Sequence, residues 1–196
     1  MTEPNNRPTI TLRDGRTATV RLLRPTDVEP FAAYLTGLSE RTRGFYGPHA
    51  FDRATAEGLC AATEAERTRR YVAVLEDGTP EAQIIGYIIL TRNLSPGDVA
   101  RYASHGPTLD VERCAAFAPS VADAFQEQGI GTQMGQHVLA YARDWGLRQV
   151  ILMGGVQSRN VRGRRMYERL GFRKVGEFET VRNGAPLGNL DMICEV

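Results

Sequence analysis

Cysteine is scarce here, with three in 196 residues. Cys60, Cys114 and Cys194 lie far apart and show no CxxC spacing, which argues against a disulfide framework or a zinc site. The three read as buried thiols. Histidine is equally thin: His49, His105 and His137 are scattered, and His137 falls on a predicted helix where packing or exposure accounts for it. No metal is expected. No apolar run approaches the roughly 20 residues needed to span a bilayer, and the segment Met1–Pro8 lacks the apolar core of a secretory signal. No membrane partner is therefore expected, and a cytoplasmic location is. Lysine is nearly missing, Lys174 being the single one among 24 basic residues. With a net charge of only +1 there is no global electrostatic attraction to nucleic acid.

What remains is an ordinary globular composition, 42% hydrophobic and 24% charged, in a length that suits one domain. Residues 1–8 read as a flexible tail and residues 9–196 as a single domain. Thr9–Arg13 and Thr17–Leu22 form a hairpin around Asp14-Gly15. Thr26 with Glu29 three residues on predicts a capped helix with Val28, Phe31, Ala32 and Leu35 on one face. A second helix covers Ala54 to Ala62. Residues 42–51, rich in Gly, Pro and aromatics, read as a loop, as does the longer stretch from Leu94 to Thr108. Strands are expected at Tyr71–Leu75, Ile84–Arg92, Val111–Val121 (interrupted by Pro119) and Gln149–Met153. Helices follow at Thr132–Trp145, closed by Gly146, and Asn160–Leu170; Lys174–Val181 and Leu187–Val196 then bracket Asn183-Gly184, which reads as a terminal hairpin or a longer loop. The alternation is that of a mixed α/β (α+β) domain.

The most informative segment is Gln126-Glu127-Gln128-Gly129-Ile130-Gly131-Thr132. Two glycines between a strand and an amphipathic helix let backbone N–H groups converge at a helix N-terminus and hold a phosphate. A dinucleotide fold wants GxGxxG followed by an acidic residue at the end of the next strand. Here the third glycine, Gly135, comes one residue late, and the next strand runs into Gly154-Gly155. No Gly-Lys-Ser/Thr follows, so a P-loop is excluded too.

Gln126-x-x-Gly129-x-Gly131 resembles the Q/R-x-x-G-x-G/A motif of the GNAT superfamily of acyl-CoA-dependent N-acyltransferases. Downstream, Asn160-x-x-Gly163-x-x-x-Tyr167-x-x-x-Gly171-Phe172 resembles that family's Asn, small residue, Tyr and closing Gly-Phe, and Arg21-x-x-Arg24-Pro25-x-Asp27 resembles its opening. The stretch Phe117–Gln126 is similar to bacterial protein acetyltransferases of the Pat type. This resemblance implies a central, mostly antiparallel sheet with splayed parallel strands at the acyl-CoA site, flanked by helices. It implies acetyl-CoA as cosubstrate, its pyrophosphate cradled by the amides of Gln128, Gly129, Ile130, Gly131 and Thr132 within the Gln126 motif. Pantetheine would lie near Ser120 and Val121 and be reached by Asn160. Arg164 and Arg165 read as a solvated helix face.

Amide formation from a thioester needs a neutral amine, donors for the oxyanion and a proton for the leaving thiolate. The resemblance assigns the last task to Tyr167 and the oxyanion to a main-chain N–H near Val121. Pat-type relatives often carry a strand glutamate about ten residues before the motif's Gln; here that place is held by Ala116. Glu112, on the same strand parity, is the candidate base; Asp123 reads rather as a turn or cap residue, and deprotonation through water is a third route. The acceptor is an amine, of a small molecule or of a protein, in a pocket bordered by residues 42–51, residues 94–108 and the terminal hairpin, with Phe45, Tyr46 and Tyr102 as candidate lining. A homodimer is compatible with this reading. The other function class to weigh is a weakly catalytic acyl-CoA sensor on the same fold.

Overall fold

The computed structural model describes residues 8–63, 66–182 and 184–196; residues 1–7 of the expected tail and Asn183 of the expected turn lie outside them. The chain divides into two compact units, Met1–Ile89 with Pro119–Val138, and Leu90–Ala118 with Leu139–Val196.

In the first unit β1 (Thr9–Thr11) pairs antiparallel with β2 (Thr17–Leu22), and β2 with β3 (Thr68–Leu75), in the registers Thr9↔Thr19 and Leu22↔Tyr71. β4 (Gln83–Thr91) lies beside β3. Residues 71–75 and 84–91 are buried without a break, which is why these strands read as continuous apolar runs rather than as alternation. Three helices follow β2: α1 (Val28–Gly37), α2 (Glu40–Phe45) and α3 (Arg53–Ala61). Phe31 and Leu35 of α1 are fully buried, each such side chain contributing about 1.5–3 kcal/mol. Thr26 does not cap α1. A 3-10 turn, Pro25–Asp27, precedes the helix. The Asp27 carboxylate takes the Arg24 amide at 2.8 Å and the buried Arg21 guanidinium at 2.6 and 2.9 Å. Arg21 also bonds Asp77 at 2.9 Å, so the opening motif is a buried ion triad whose partners satisfy one another. Glu29, freed from capping, pairs with Arg53.

α2 runs into the expected loop at 42–51 and takes its first four residues, while 46–51 stay non-helical. Ser39 caps it, its hydroxyl accepting the Thr42 amide at 3.2 Å.

In the second unit the expected loop 94–108 likewise contains a helix, α4 (Pro96–Ser104), capped by Ser95 with Pro96 in its first turn. Arg101 of α4 bonds Asp98 at 2.5 Å and the fully buried Asp191 at 2.6 and 2.9 Å. β5 (Cys114–Val121) runs parallel to β6 (Gln149–Leu152) from Cys114↔Gln149 to Phe117↔Leu152, where the register ends. Beyond it the chain turns through Gly154 and Gly155, both at positive φ, into β7 (Val156–Gln157). Between β5 and β6 runs α5 (Ile130–Asp144), ended by Gly146 at φ +79°. After β7 come α6 (Val161–Arg169) and the hairpin of β8 (Arg173–Arg182) with β9 (Ala185–Glu195). β9 pairs antiparallel with β6, β7 and β8. The fold class is thus mixed α/β, its strands mostly antiparallel with β5 and β6 parallel. The three cysteines are free and buried. Among the described residues no helix is long and apolar enough to cross a membrane, and no group of three or more His, Cys, Asp or Glu is placed to hold a metal ion.

Candidate active site

The glycine turn enters α5 through alternating backbone. Glu127 sits at φ +62° and Gly129 at φ +82°; the first is a disfavoured conformation for an L-residue, the second is free only to glycine. The first amides of α5 taken internally are those of Thr132 and Gln133, both donating to Gly129 O at 3.1 and 3.0 Å. The N–H groups of Gln128, Gly129, Ile130 and Gly131 precede them and have no partner among the described residues. Four unpaired donors at a helix N-terminus favour an anion. Thr132, expected in the cradle, spends its amide inside the turn. Gln126 spends its side chain the same way: Nε2 donates to Val121 O and to Thr42 Oγ1, both at 3.0 Å. The helix itself lies close over β4, where a Cβ on Gly86 would stand 3.0 Å from Met134 Sδ.

Ser120 is buried, its hydroxyl 2.7 Å from that of Tyr34. Ala122 donates to Ile85 O at 2.9 Å, which ties the end of β5 to β4.

In the second unit Asn160 is the N-cap of α6: Oδ1 accepts the Gly163 amide at 3.0 Å. A Cβ at Gly163 would meet the Asn160 side chain at 2.6–3.0 Å, the physical reason for a small residue three places after the Asn. With Oδ1 committed, the Nδ2 protons are what Asn160 can offer a ligand. Tyr167 projects from α6 into an aromatic trio, its ring 5.6 Å from Phe172 and 6.4 Å from Phe117. Phe172 belongs to the closing Gly-Phe, so the motif's last residue shapes the setting of its Tyr. Tyr167 is 9% exposed and its hydroxyl has no partner among the described residues. Burial pushes its pKa above the ordinary phenol value, so it is protonated at neutral pH.

Glu112 is not on a strand. It lies in the exposed turn before β5, closed by Arg113 N donating to Asp110 O at 2.8 Å, and β5 begins only at Cys114. The strand parity that recommended Glu112 therefore does not apply. Asp123 is occupied by Ser39 and Thr42, as a cap residue would be. Of the candidate lining residues, Tyr102 is fully buried, its hydroxyl donating to Met192 O at 2.7 Å and accepting from Met192 N at 3.1 Å, so it packs rather than lines. Tyr46 lies in an aromatic cluster with His49, Phe51 and Tyr87. Sequence reasoning passed over Thr42, which no local motif announces and which meets the glycine turn only in three dimensions.

The model of the Acetyltransferase (GNAT) family matches residues 33–172. No curated protein matches the chain in sequence. Among solved structures, the GNAT domain of S. lividans PAT has a TM-score of 0.71 at 19% identity, covering 100% of both chains. The ribosomal-protein-S5-alanine acetyltransferase of Vibrio fischeri has a TM-score of 0.71 at 16% identity, covering 96% of each. The yncA protein of Salmonella typhimurium, solved with its cofactor acetyl-CoA, has a TM-score of 0.63 at 17% identity over 91% of this chain and 93% of that one. Identities this low carry the fold alone, and it is the family match spanning both the glycine turn and the Asn160–Phe172 segment that places this chain in the GNAT acetyltransferase family.

Proposed function

We propose that the chain transfers an acetyl group from acetyl-CoA to a primary amine by direct attack in a ternary complex. The observation that carries this is the run of four unpaired amides, Gln128 to Gly131, at the start of α5, in a chain of an acetyltransferase family. In this reading those amides receive the CoA diphosphate. Gln126 shapes the turn instead of touching the ligand, and Thr132 contributes through its place in the first helical turn. Pantetheine runs along the main chain near Ser120 and Val121, and Asn160 Nδ2 donates to one of its carbonyls. The amine attacks the thioester carbonyl, a main-chain N–H near Val121 stabilises the oxyanion, and the C–S bond breaks as Tyr167 gives its proton to the leaving sulfur. The amine's proton passes to water, since the strand position that a base would occupy holds Ala116 and Glu112 sits in an exposed turn.

That missing carboxylate favours a second reading, a domain that binds acetyl-CoA and reports it without turnover. One experiment separates the two: thiol release from acetyl-CoA over a panel of small amines and peptides, beside calorimetric binding of acetyl-CoA. Release with at least one amine supports the transferase. Tight binding with no release from any amine selects the sensor, and no binding rejects both. The protein is expected to act in the cytoplasm on a small-molecule or protein amine, as a single domain over residues 9–196, with a homodimer allowed.

A further inference from the structure

Asp123 carries more hydrogen bonds than a turn requires. Its Oδ1 accepts from the Ser39 hydroxyl at 2.6 Å and the Thr42 hydroxyl at 2.7 Å, and Oδ2 from the Ser39 amide at 2.9 Å. Burial raises its pKa, but the bonds from Ser39 and Thr42 outweigh this and hold it below the ordinary carboxylate value, so at neutral pH these are charge-assisted contacts. The Thr42 hydroxyl, having given its one proton to Asp123, offers a lone pair, and the Gln126 amide takes it at 3.0 Å. The same Gln126 nitrogen holds Val121 O. The bonds join residues 81 to 84 positions apart, and Thr42 is buried.

We propose that Thr42, Asp123 and Gln126 are positioning residues that couple α2 to the glycine turn, so that a diphosphate held on the turn's amides also stiffens α2. The inference rests on the acyl-CoA reading above. Two features give the coupling its direction. Glu127, next to Gln126, is held at φ +62°, a conformation that persists only where its surroundings over-determine it; Gln126 is anchored to Thr42, so α2 is part of those surroundings. α2 itself has only six residues, too few to be stable alone. Its opening is therefore governed by its tertiary contacts, the Arg43 bonds to Leu35 O and Thr36 O as well as the cap and Asp123, and a ligand that fixes the turn shifts that opening through the Thr42–Gln126 bond.

The test is hydrogen exchange of residues 39–46 and 121–131, with and without acetyl-CoA, in the wild type, Thr42→Val, Thr42→Ser and Gln126→Met. In the wild type acetyl-CoA is expected to slow exchange in α2 as well as in the turn. Thr42→Val should abolish the ligand-induced protection of α2 and raise the acetyl-CoA Kd about tenfold, the loss of one charge-assisted hydrogen bond; Thr42→Ser should restore both. Gln126→Met leaves the Ser39–Asp123 cap in place and should show the same loss, which keeps the test open if Thr42→Val does not fold. Unchanged affinity and unchanged α2 protection in Thr42→Val or Gln126→Met overturn the coupling while leaving the acyl-CoA reading standing. Failure of the wild type to bind acetyl-CoA overturns both.

Discussion

Replacing Tyr167 with Phe should lower turnover while leaving stability nearly unchanged. The ring packs edgewise on Phe172 at 5.6 Å and on Phe117 at 6.4 Å, and Phe keeps both contacts. Only the hydroxyl is lost. That group has no partner among the described residues, and its oxygen is not among the buried, unpartnered side-chain atoms, so it meets solvent. Its removal breaks no hydrogen bond within the protein, and Tm should stay within about 2 °C of wild type. Turnover should fall about 100-fold, the scale of a lost general acid, or about 2.7 kcal/mol of transition-state stabilisation. Calorimetry should show acetyl-CoA affinity within about twofold of wild type, because an interaction made only in the transition state leaves ground-state binding alone. Thermal unfolding, acetyl-CoA titration and CoA-thiol release make up the assay. Equal turnover refutes Tyr167 as the acid. A variant less stable by more than about 1 kcal/mol refutes the unbonded hydroxyl.

Asn160→Asp retains the cap, Asp being as good an N-cap as Asn, but exchanges the Nδ2 donor for an acceptor; unfolding should be nearly unchanged while the acetyl-CoA KM rises about tenfold or more. Asn160→Ala should in addition lose about 1 kcal/mol of stability, visible as a lower denaturant midpoint. Gly129→Ala forces an L-residue to φ +82° at a cost of about 1–2 kcal/mol, and acetyl-CoA affinity measured by calorimetry should fall with it. Tyr34, Tyr87, Tyr102 and Tyr167 all have pKa values raised by burial; the folded state holds these protons more tightly, so stability is intact below about pH 10, the unfolded value, and falls as pH rises above it. Each contributes a slope of about 1.4 kcal/mol per pH unit, and a flat denaturation midpoint between pH 10 and 11 would contradict it.

The strands and the glycine turn were legible because their determinants are local. Ile84 to Leu90 is an uninterrupted apolar run, and Asp14-Gly15 is a turn on chemistry alone. Gly129 and Gly131 mark a helix entry whatever surrounds them. The two helices hidden in expected loops were not legible because what holds them is distant. α4 has a local start in Ser95 and Pro96 and a local Arg101–Asp98 pair, but the buried Asp191 that also takes Arg101 lies 90 residues away. α2 leans on Asp123 across 81 residues. Glu112 was misplaced by a different cause: alternation counts residues back along a strand, and the Asp110–Arg113 turn stops the strand before the count arrives.

Two polar side chains of the family's motifs, Gln126 and Asn160, spend hydrogen bonds on their own chain. Gln126 holds Val121 O and Asn160 holds the Gly163 amide. What the motif conveys is thus mainly backbone geometry, and the unpaired amides from Gln128 to Gly131 follow from that geometry whatever side chains they carry. A site made of main-chain donors constrains few side chains. The regions bordering the expected acceptor pocket work by the opposite rule. α2 and α4 are held by long-range side-chain contacts, Thr42 to Asp123 and Arg101 to Asp191. Changing Thr42 or Asp123 reaches the glycine turn through Gln126, whereas Arg101 and Asp191 share no hydrogen bond with it. An amine screen on variants of Arg101 and Asp191 tests whether α4 borders the acceptor: a shift in acceptor preference at constant acetyl-CoA affinity supports that placement, and an unchanged preference refutes it.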